Sequence, residues 1–267
     1  MASSSNRPSS PNGLRGGLRR RAGAALTALA LLATATLPAA AAPPACAGTL
    51  YLTIDTGSMV SAERIAAILK ARSLRATFFI AAEPTYDGGT PLDARWRDYW
   101  RARVAEGHAF GSHTQRHWYL RADRAGGILY RSAEGRSELL NEAAFCRELG
   151  SVGKSFEAMT GRPFDPLWRA PGGHTTPKSL QWATGCGFTR HAGWSKAGFL
   201  GDELPSDAYP NEVLLRRALA DIRDGDVLMM HLGIRSRKDP FVNVLEPLLD
   251  GLTARGFCFA TLPEKRS

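Results

Sequence analysis

Short apolar segments alternate with amphipathic helical segments along most of this chain. Residues 49–54, Thr-Leu-Tyr-Leu-Thr-Ile, are apolar and rich in β-branched side chains, which is typical of a buried strand. Residues 61–70 follow, with a serine at the N-cap position and apolar residues at helical spacing. Repeated βα units predict a parallel sheet with helices outside it, and about seven of them favour a barrel over an open sheet.

The alternation continues to the C-terminal end of the chain. Further strands are predicted at 76–80, 108–111, 167–169, 187–191, 227–231 and 257–262. Further helices are predicted at 94–106, 134–159, 177–184, 211–222 and 242–255, the second of them broken near 150–153. Because no internal repeat or linker divides residues 46–267, we expect a single domain there.

The first 45 residues do not belong to that predicted domain. Five arginines and no acidic residue precede an Ala/Leu-rich run at 22–37, and small residues follow at 39–42. This pattern predicts a cleaved secretory signal peptide, for which the twin-arginine route stays open. An uncleaved membrane anchor is the alternative, but the apolar run is short for one. We therefore expect an exported protein, periplasmic or extracellular, without stable membrane insertion.

The charge balance gives no indication that this chain binds nucleic acid. Five of the 34 basic residues lie in the predicted signal, so the excess over the 25 acidic residues falls from +9 to +4. No basic cluster interleaves with aromatic residues, and we expect no nucleic-acid partner. A mild positive charge suits an anionic cell-wall polymer. We expect a monomer.

Four cysteines follow the predicted signal: Cys46, Cys146, Cys186 and Cys258. An even number in an exported chain predicts two disulfides, with three possible connectivities. We favour Cys46 with Cys258, because a first and a last strand often meet where a barrel closes, and Cys146 with Cys186 between helical segments. Cys46 as a lipidated N-terminus is an alternative, although Pro43-Pro44-Ala45 makes a poor lipobox.

Two histidines, His113 and His117, stand four residues apart just after the predicted strand 108–111. On the first turn of a helix or in a tight helical loop, side chains at this spacing share one face, so both imidazoles could reach one metal ion. The alternative is a pair of ordinary surface or core histidines.

Other reactive side chains follow the predicted strands. Asp55 comes after the first strand, and Arg169 and His231 end later ones. Catalytic groups of parallel α/β folds lie at the carboxyl ends of the strands, so these residues and the two histidines are expected at one edge. Taken singly, each has an ordinary alternative. Asp55 could be a helix or turn cap, Arg169 could form a surface ion pair, and His231 could be a histidine that happens to end a strand. Their joint placement favours a metal site with catalytic neighbours.

Five stretches resemble, in order and spacing, the successive motifs of the NodB-type polysaccharide deacetylases, carbohydrate esterase family 4. They are T-I-D-T-G at 53–57, A-T-F-F-I at 76–80, G-H-A-F-G-S-H-T at 107–114 with His117, R-A-P-G-G at 169–173 and L-M-M-H at 228–231. The resemblance implies a distorted (β/α) barrel of about seven parallel strands, the NodB homology fold. It also implies a secreted, metal-dependent hydrolase that removes N-acetyl groups from peptidoglycan, a chitin-like glycan or poly-N-acetylglucosamine.

The resemblance implies a role for each matching residue. Asp55 stands at the position of the general base, and Arg169 at that of the arginine that orients it. His113 and His117 match the metal ligands, and His231 matches the general acid.

The same resemblance implies substrate contacts. Pro171 and Gly172 would shape the wall of the site. Trp194 would line the acetyl pocket and Asp202 would tune His231, although the spacing fixes neither role. Core packing is an equal alternative for Trp194.

One position departs from the family pattern. The family's second aspartate, which binds the metal, is replaced by Thr56, and a neutral hydroxyl is a poorer ligand for a dication. The metal, zinc with cobalt or nickel as alternatives, could be held by the two histidines and water, with Thr56 outside them. Asp87 or Asp202 could supply the missing carboxylate.

A further interpretation of Thr56 is that the chain is a non-catalytic carbohydrate-binding relative that has lost its metal site. We favour an enzyme because Asp55, Arg169 and His231 are all retained. An O-acetyl esterase is a further alternative, since an ester is chemically easier to hydrolyse than an amide. The oxyanion would be held by the metal and by a backbone N–H near Thr56 or Gly57.

Overall fold

The computed structural model describes residues 46–265; the predicted signal segment 1–45 lies outside the described residues. In chain order the strands are β1 (Gly48–Asp55), β2 (Thr77–Ile80), β3 (Ala109–Ser112), β4 (Tyr119–Arg124), β5 (Gly127–Arg131), β6 (Ser137–Leu140), β7 (Leu167–Trp168), β8 (Arg190–His191), β9 (Val227–His231) and β10 (Phe257–Phe259). The α-helices are α1 (Ala62–Ala71), α2 (Arg97–Ala105), α3 (Glu142–Thr160), α4 (Pro177–Gly185), α5 (Asn211–Asp221) and α6 (Val242–Ala254).

β1 is the central strand of a seven-stranded parallel sheet. The strand order is β10-β1-β2-β3-β7-β8, and β9 also pairs with β1. The sheet curls into an incomplete barrel with the helices packed around it, which confirms the predicted distorted (β/α) barrel of about seven parallel strands. The strand and helix positions predicted for β1, β2, β3, β9, α1 and α4 to α6 agree with the structure to within two residues.

The region before α3 was predicted wrongly. Residues 134–141 are not helical; β6 lies there, and β4, β5 and β6 form a separate antiparallel sheet of three strands. The side chain of Asn141 accepts a hydrogen bond from the backbone N–H of Ala144, which caps α3 and fixes where the helix begins.

The predicted break in α3 is absent. The helix runs through Gly150 and Gly153, because it buries a face that includes Phe145, Val152 and Phe156. Burial of such side chains contributes about 1.5–3 kcal/mol each. That exceeds the cost of about 1 kcal/mol for a glycine in a helix.

Aromatic packing joins the sheet to α2 and α3. Phe78 on β2 and Phe110 on β3 stack with ring centroids 5.9 Å apart. Trp100 of α2 and Phe156 of α3 close over them, with centroids of 5.9 Å to Phe78 and 4.7 Å to Phe110, respectively. This packing covers β2 and β3, and the parallel pairing of β1 with β2 and of β2 with β3 brings their carboxyl ends to one edge.

Two disulfides join distant parts of the fold, and both were predicted. Cys46 bonds to Cys258 on β10, beside the start of β1, and Cys146 of α3 bonds to Cys186 at the end of α4. Each is expected to contribute about 2–4 kcal/mol. A lipid on Cys46 would need the same sulfur atom, so the lipidation alternative is wrong.

Across residues 46–265, every helix is too short or too polar to cross a membrane.

Candidate active site

Strand register brings the candidate residues to one edge of the parallel sheet. Asp55, the last residue of β1, is paired with His231 on β9 and with Phe79 on β2. Ser112 ends β3 opposite Trp168 of β7, so His113 and Arg169, the residues that follow them, also lie at this edge.

Asp55 is buried and paired with an arginine that is itself fully buried. Nη1 of Arg169 donates to Oδ1 of Asp55 at 2.8 Å, and Nη2 donates to the hydroxyl of Thr53 at 2.8 Å. Nε of Arg169 donates to the carbonyl of Ala192 at 2.8 Å, which fixes the guanidinium. Burial raises the pKa of Asp55, but the positive charge of Arg169 with smaller effects of His113 and His231 outweighs it, and the pKa is lowered. Asp55 is therefore an ionised carboxylate with a fixed orientation.

His231 has the opposite arrangement. Its Nδ1 lies 3.1 Å from Oδ1 of Asp202, and Oδ2 of Asp202 accepts its backbone N–H at 2.7 Å. Nε2 lies 3.8 Å from a carboxylate oxygen of Glu203. Burial lowers the pKa of His231, but the charge and hydrogen bond of Asp202 outweigh it and raise the pKa to about 9. The imidazole therefore carries a proton on each nitrogen at neutral pH.

His113 is a neutral imidazole whose tautomer is set by the backbone. Its Nδ1 lies 2.9 Å from the carbonyl oxygen of Arg169, which can only accept, so the proton is on Nδ1. Burial lowers the pKa of His113 to about 4. Nε2 is left with a lone pair, 3.1 Å from Nε2 of His117 and 3.4 Å from Oδ2 of Asp55.

The two histidines converge through a loop and not through a helical turn. Residues 113–118 contain no helix, and both Thr114 and His117 have a positive φ, of 66° and 55°. Such φ values are uncommon outside glycine and are held only where the surrounding structure enforces them. Helical i, i+4 spacing was therefore the wrong reason for expecting His113 and His117 to meet.

Glu83 also lies at this edge, and sequence reasoning missed it. Its Oε1 accepts from the hydroxyl of Thr56 at 2.8 Å and from the backbone N–H of Gly57 at 2.9 Å. Its Oε2 lies 3.6 Å from Nδ1 of His117. The signal was available: Glu83 is the third residue after β2, whose carboxyl end was expected at this edge.

Neither of the carboxylates considered as a replacement for the metal aspartate, Asp87 and Asp202, forms a salt bridge with a histidine of the pair. Asp87 forms a salt bridge with Arg95 at 2.7 Å, and Asp202 is held against His231. Thr56 is also engaged, because its hydroxyl donates to Glu83 and accepts the backbone N–H of Ala81 at 3.2 Å.

The backbone N–H groups considered for the oxyanion are also engaged. The N–H of Thr56 donates to the carbonyl of Phe79 at 3.1 Å, and that of Gly57 donates to Glu83.

The motif at 169–173 shapes the adjacent surface. Pro171 is buried and begins a short 3₁₀ turn, and Gly172 has a φ of 64°. A side chain on Gly172 would meet the ring of Tyr119 at 3.1 Å, and one on Gly173 would meet the ring of Trp194 at 2.8 Å. Trp194 is half-buried and lines an open groove together with both glycines.

The donor set fits a divalent metal ion in part. Two Nε2 atoms 3.1 Å apart match the separation of about 3.3 Å expected for two imidazoles on one tetrahedral zinc ion. A backbone carbonyl that fixes the tautomer of His113 is a common feature of histidine ligands. Within residues 46–265, however, no three His, Cys, Asp or Glu side chains already converge on a metal position. The histidine pair is in place, and a third ligand has to approach it.

A comparison with known families identifies the family of this chain. The sequence model of the family described as "Polysaccharide deacetylase" matches residues 43–191, more than half of the chain. The chain belongs to this family. No curated protein matches the sequence of this polysaccharide deacetylase homologue at a significant level.

Solved structures of family 4 carbohydrate esterases share the fold at low identity. A mutant pseudoenzyme with restored enzymatic activity has a TM-score of 0.61 and 19% identity, over 81% of this chain and 66% of its own. A peptidoglycan N-acetylglucosamine deacetylase gives 0.62 and 21%, over 80% and 86%. An acetyl xylan esterase from Clostridium thermocellum, solved with a cobalt ion, gives 0.62 and 18%, over 81% and 89%. This chain spans just under two thirds of the first protein's length.

Proposed function

We propose that this member of the polysaccharide deacetylase family is an exported, metal-dependent hydrolase that removes N-acetyl groups from an N-acetylated glycan. Peptidoglycan, a chitin-like oligomer and poly-N-acetylglucosamine are the candidate substrates. The two disulfides support export, because such bonds persist in oxidising compartments.

One observation carries the proposal: two titratable groups on neighbouring strand ends have pKa values shifted in opposite directions. Asp55 is paired in register with His231, and the pKa of the carboxyl is lowered while that of the imidazole is raised to about 9. At neutral pH one group can accept a proton and the other can give one. This is the division of labour that amide hydrolysis requires.

The residues of the chain account for the proton transfers of the proposed reaction. Asp55 takes a proton from a water molecule as the water oxygen adds to the acetyl carbonyl carbon. The C–N bond then breaks, and Nε2 of His231 gives its proton to the leaving amine nitrogen. The products are acetate and a free amine. Arg169 keeps Asp55 ionised and oriented, and Asp202 keeps His231 protonated.

A divalent ion, zinc or in its place cobalt or nickel, held by His113 and His117, would polarise the acetyl carbonyl and lower the pKa of a bound water molecule. His113 is suited to this role because its Nε2 lone pair already faces His117.

Substrate contacts are proposed for the groove beside the motif at 169–173. Pro171, Gly172 and Trp194 would form the wall against which the acetyl group or a sugar ring packs. Aromatic rings such as Trp194 offer an apolar face for a sugar ring.

The test is the release of acetate from N-acetylglucosamine oligomers and from peptidoglycan by the purified mature protein, together with its metal content. Near-stoichiometric metal and release that a chelator abolishes would support the proposal. Asp55→Asn and His231→Ala controls should release far less acetate than the wild type. Release from acetylated xylan but not from the amide substrates would make the protein an O-acetyl esterase.

A second candidate is a non-catalytic glycan-binding protein. Thr56 at the position of the metal aspartate favours it, as does the pseudoenzyme among the similar solved structures. If the purified protein held no metal and released no acetate, even after metal was added back, the glycan-binding function would replace the enzymatic one.

A further inference from the structure

We propose that Glu83 is the third, anionic ligand of the metal site, supplied by the loop after β2 in place of an aspartate at position 56. The inference rests on the proposed metal-dependent function. It assigns to Thr56 the separate task of orienting Glu83 through its hydroxyl group.

Glu83 lies next to one member of the histidine pair. Its Oε2 lies 3.6 Å from Nδ1 of His117, whose Nε2 is 3.1 Å from Nε2 of His113. Two neutral imidazoles contribute no negative charge, so a dication bound there favours a carboxylate as its next ligand. Glu83 reaches the pair from the side of His117, and Asp55 lies against His113 at 3.4 Å. To complete the set, a rotation about the side-chain bonds of Glu83 would have to bring Oε2 from Nδ1 of His117 to the side of its Nε2.

Glu83 differs from other buried carboxylates of the fold in how its charge is balanced. Asp55 is balanced by Arg169, Asp202 by His231, and Glu148 by Arg116. For Glu83, the salt-bridge partner within residues 46–265 is His117 alone, at 3.6 Å, and no lysine or arginine of that range pairs with it. A carboxylate side chain that is only 17% exposed and has no strong cationic partner is suited to a metal ion.

Two hydrogen-bond donors hold the carboxylate of Glu83. Thr56 and Gly57 both donate to Oε1, so that atom is held in place, and Oε2 is the oxygen that faces His117, 3.6 Å from its Nδ1. Carboxylate ligands of metal ions are commonly held in this way by donors outside the coordination sphere. Thr56 can serve as such a donor without contacting the metal, which explains how a threonine at this position is compatible with a working site.

The test compares zinc affinities by competition with a chromophoric chelator, starting from metal-free protein. Glu83→Gln keeps the size of the side chain and removes its charge. We expect it to weaken zinc binding by ~100-fold or more, a larger effect than the loss of a residue that only supports a ligand. Asp87→Asn, on the same loop and paired with Arg95, is the matched control and should bind zinc like the wild type.

A relocation variant makes the test sharper. Thr56→Asp combined with Glu83→Gln moves the carboxylate from one side of the site to the other, and we expect it to recover much of the zinc affinity. The visible spectrum of bound cobalt gives a readout that does not depend on catalysis. Its intensity should fall in Glu83→Gln and return in the double variant. Circular dichroism confirms that each variant is folded.

The outcomes separate this inference from the proposed function. Zinc binding that depends on Glu83 without release of acetate would support the ligand and refute the enzyme. A Glu83→Gln protein that binds zinc within about threefold of the wild type, while His117→Ala does not bind it, would overturn the ligand and leave the enzyme standing. A wild-type protein that binds no zinc or cobalt would overturn the ligand; chelator-insensitive acetate release would then show hydrolysis without it.

Discussion

Two halves of the candidate site differ in how closely their side chains are paired. The acid–base half consists of Asp55, Arg169, Asp202 and His231. The metal half consists of Thr56, Glu83, His113 and His117. Charged partners of the acid–base half lie 2.8–3.1 Å apart, with strand ends supplying three of the four residues. In the metal half, the carboxylate of Glu83 lies 3.6 Å from His117, and two of the four residues come from loops. The nearest carboxylate to His113 is that of Asp55 from the other half, at 3.4 Å. The first half is complete as the chain folds, and the second needs a ligand to draw it together.

The largest expected effect would come from Asp55→Asn, which removes the proposed base while keeping the shape of its side chain. General-base catalysis contributes about 10²–10⁴-fold, so acetate release should fall by that factor. Zinc affinity should change much less than in Glu83→Gln, because Arg169 already neutralises Asp55. If Asp55→Asn lost as much zinc affinity as Glu83→Gln, Asp55 would also contribute to metal binding, and the distinction between the two halves would fail.

Arg169→Met tests how strongly the acid–base half supports the fold. Arg169 is fully buried, and its loss leaves the charge of Asp55 without a partner, which should cost about 3–5 kcal/mol of unfolding free energy. Urea denaturation measures it. Arg72→Met is the matched control: its partner Asp250 is mostly exposed, so the loss should stay below about 1 kcal/mol. Equal losses in the two variants would contradict the contrast between buried and surface pairs.

Thr56→Val tests whether the hydroxyl of Thr56 supports the metal half. The variant removes the donor to Glu83 at nearly constant volume, and zinc affinity should fall by about 10–100-fold. Thr56→Ser keeps the hydroxyl and should bind zinc like the wild type. If valine and serine gave the same affinity, the hydroxyl would have no part in orienting Glu83.

The pH dependence gives the smallest expected effect. The proposed acid must be protonated, so activity should be lost as the pH rises through about 9, the pKa of His231. Asp202→Asn lowers that pKa and should move the alkaline limb downward by about one unit or more. Glu203→Gln, which removes a half-exposed carboxylate 3.8 Å away, should move it less. An unchanged limb in Asp202→Asn would assign the limb to another group.

The same pair links pH to stability. The folded-state pKa of His231 lies above its ordinary value of 6.5, so the stabilisation from Asp202 is complete below pH 6.5 and is lost as the pH rises through 9. The unfolding free energy of the wild type should fall over that interval, and that of Asp202→Asn should fall less.

Much of the fold could be predicted because the local signals and the final structure agree. The apolar run that became β1 and the helical spacing of α1 and α6 are set by side chains that have to be buried. The antiparallel sheet of β4 to β6 was missed because its local sequence signals are weak. Its short, partly exposed strands carry a weak pattern, and α3 next to it gives a strong helical one.

The site was predicted unevenly for a related reason. Asp55, Arg169 and His231 follow directly from strand ends, and parallel strands bring such ends to one edge. Glu83 is the third residue after its strand, so its position in the sequence places it near this edge but does not show which way its side chain turns. Asp87, only four residues later, lies against Arg95 instead.

The sequence by itself determined the parallel sheet, the edge at which the reactive residues gather and the membership of the deacetylase family. For the disulfides it favoured one of three pairings, and the structure contains that pairing. Burial and strand periodicity are local properties, and they leave little freedom to a chain with this pattern. Only the tertiary structure decided which carboxylate faces His117, which tautomer His113 adopts and which acid pairs with His231. Those choices depend on contacts between residues far apart in the chain, which local patterns of burial and periodicity do not record.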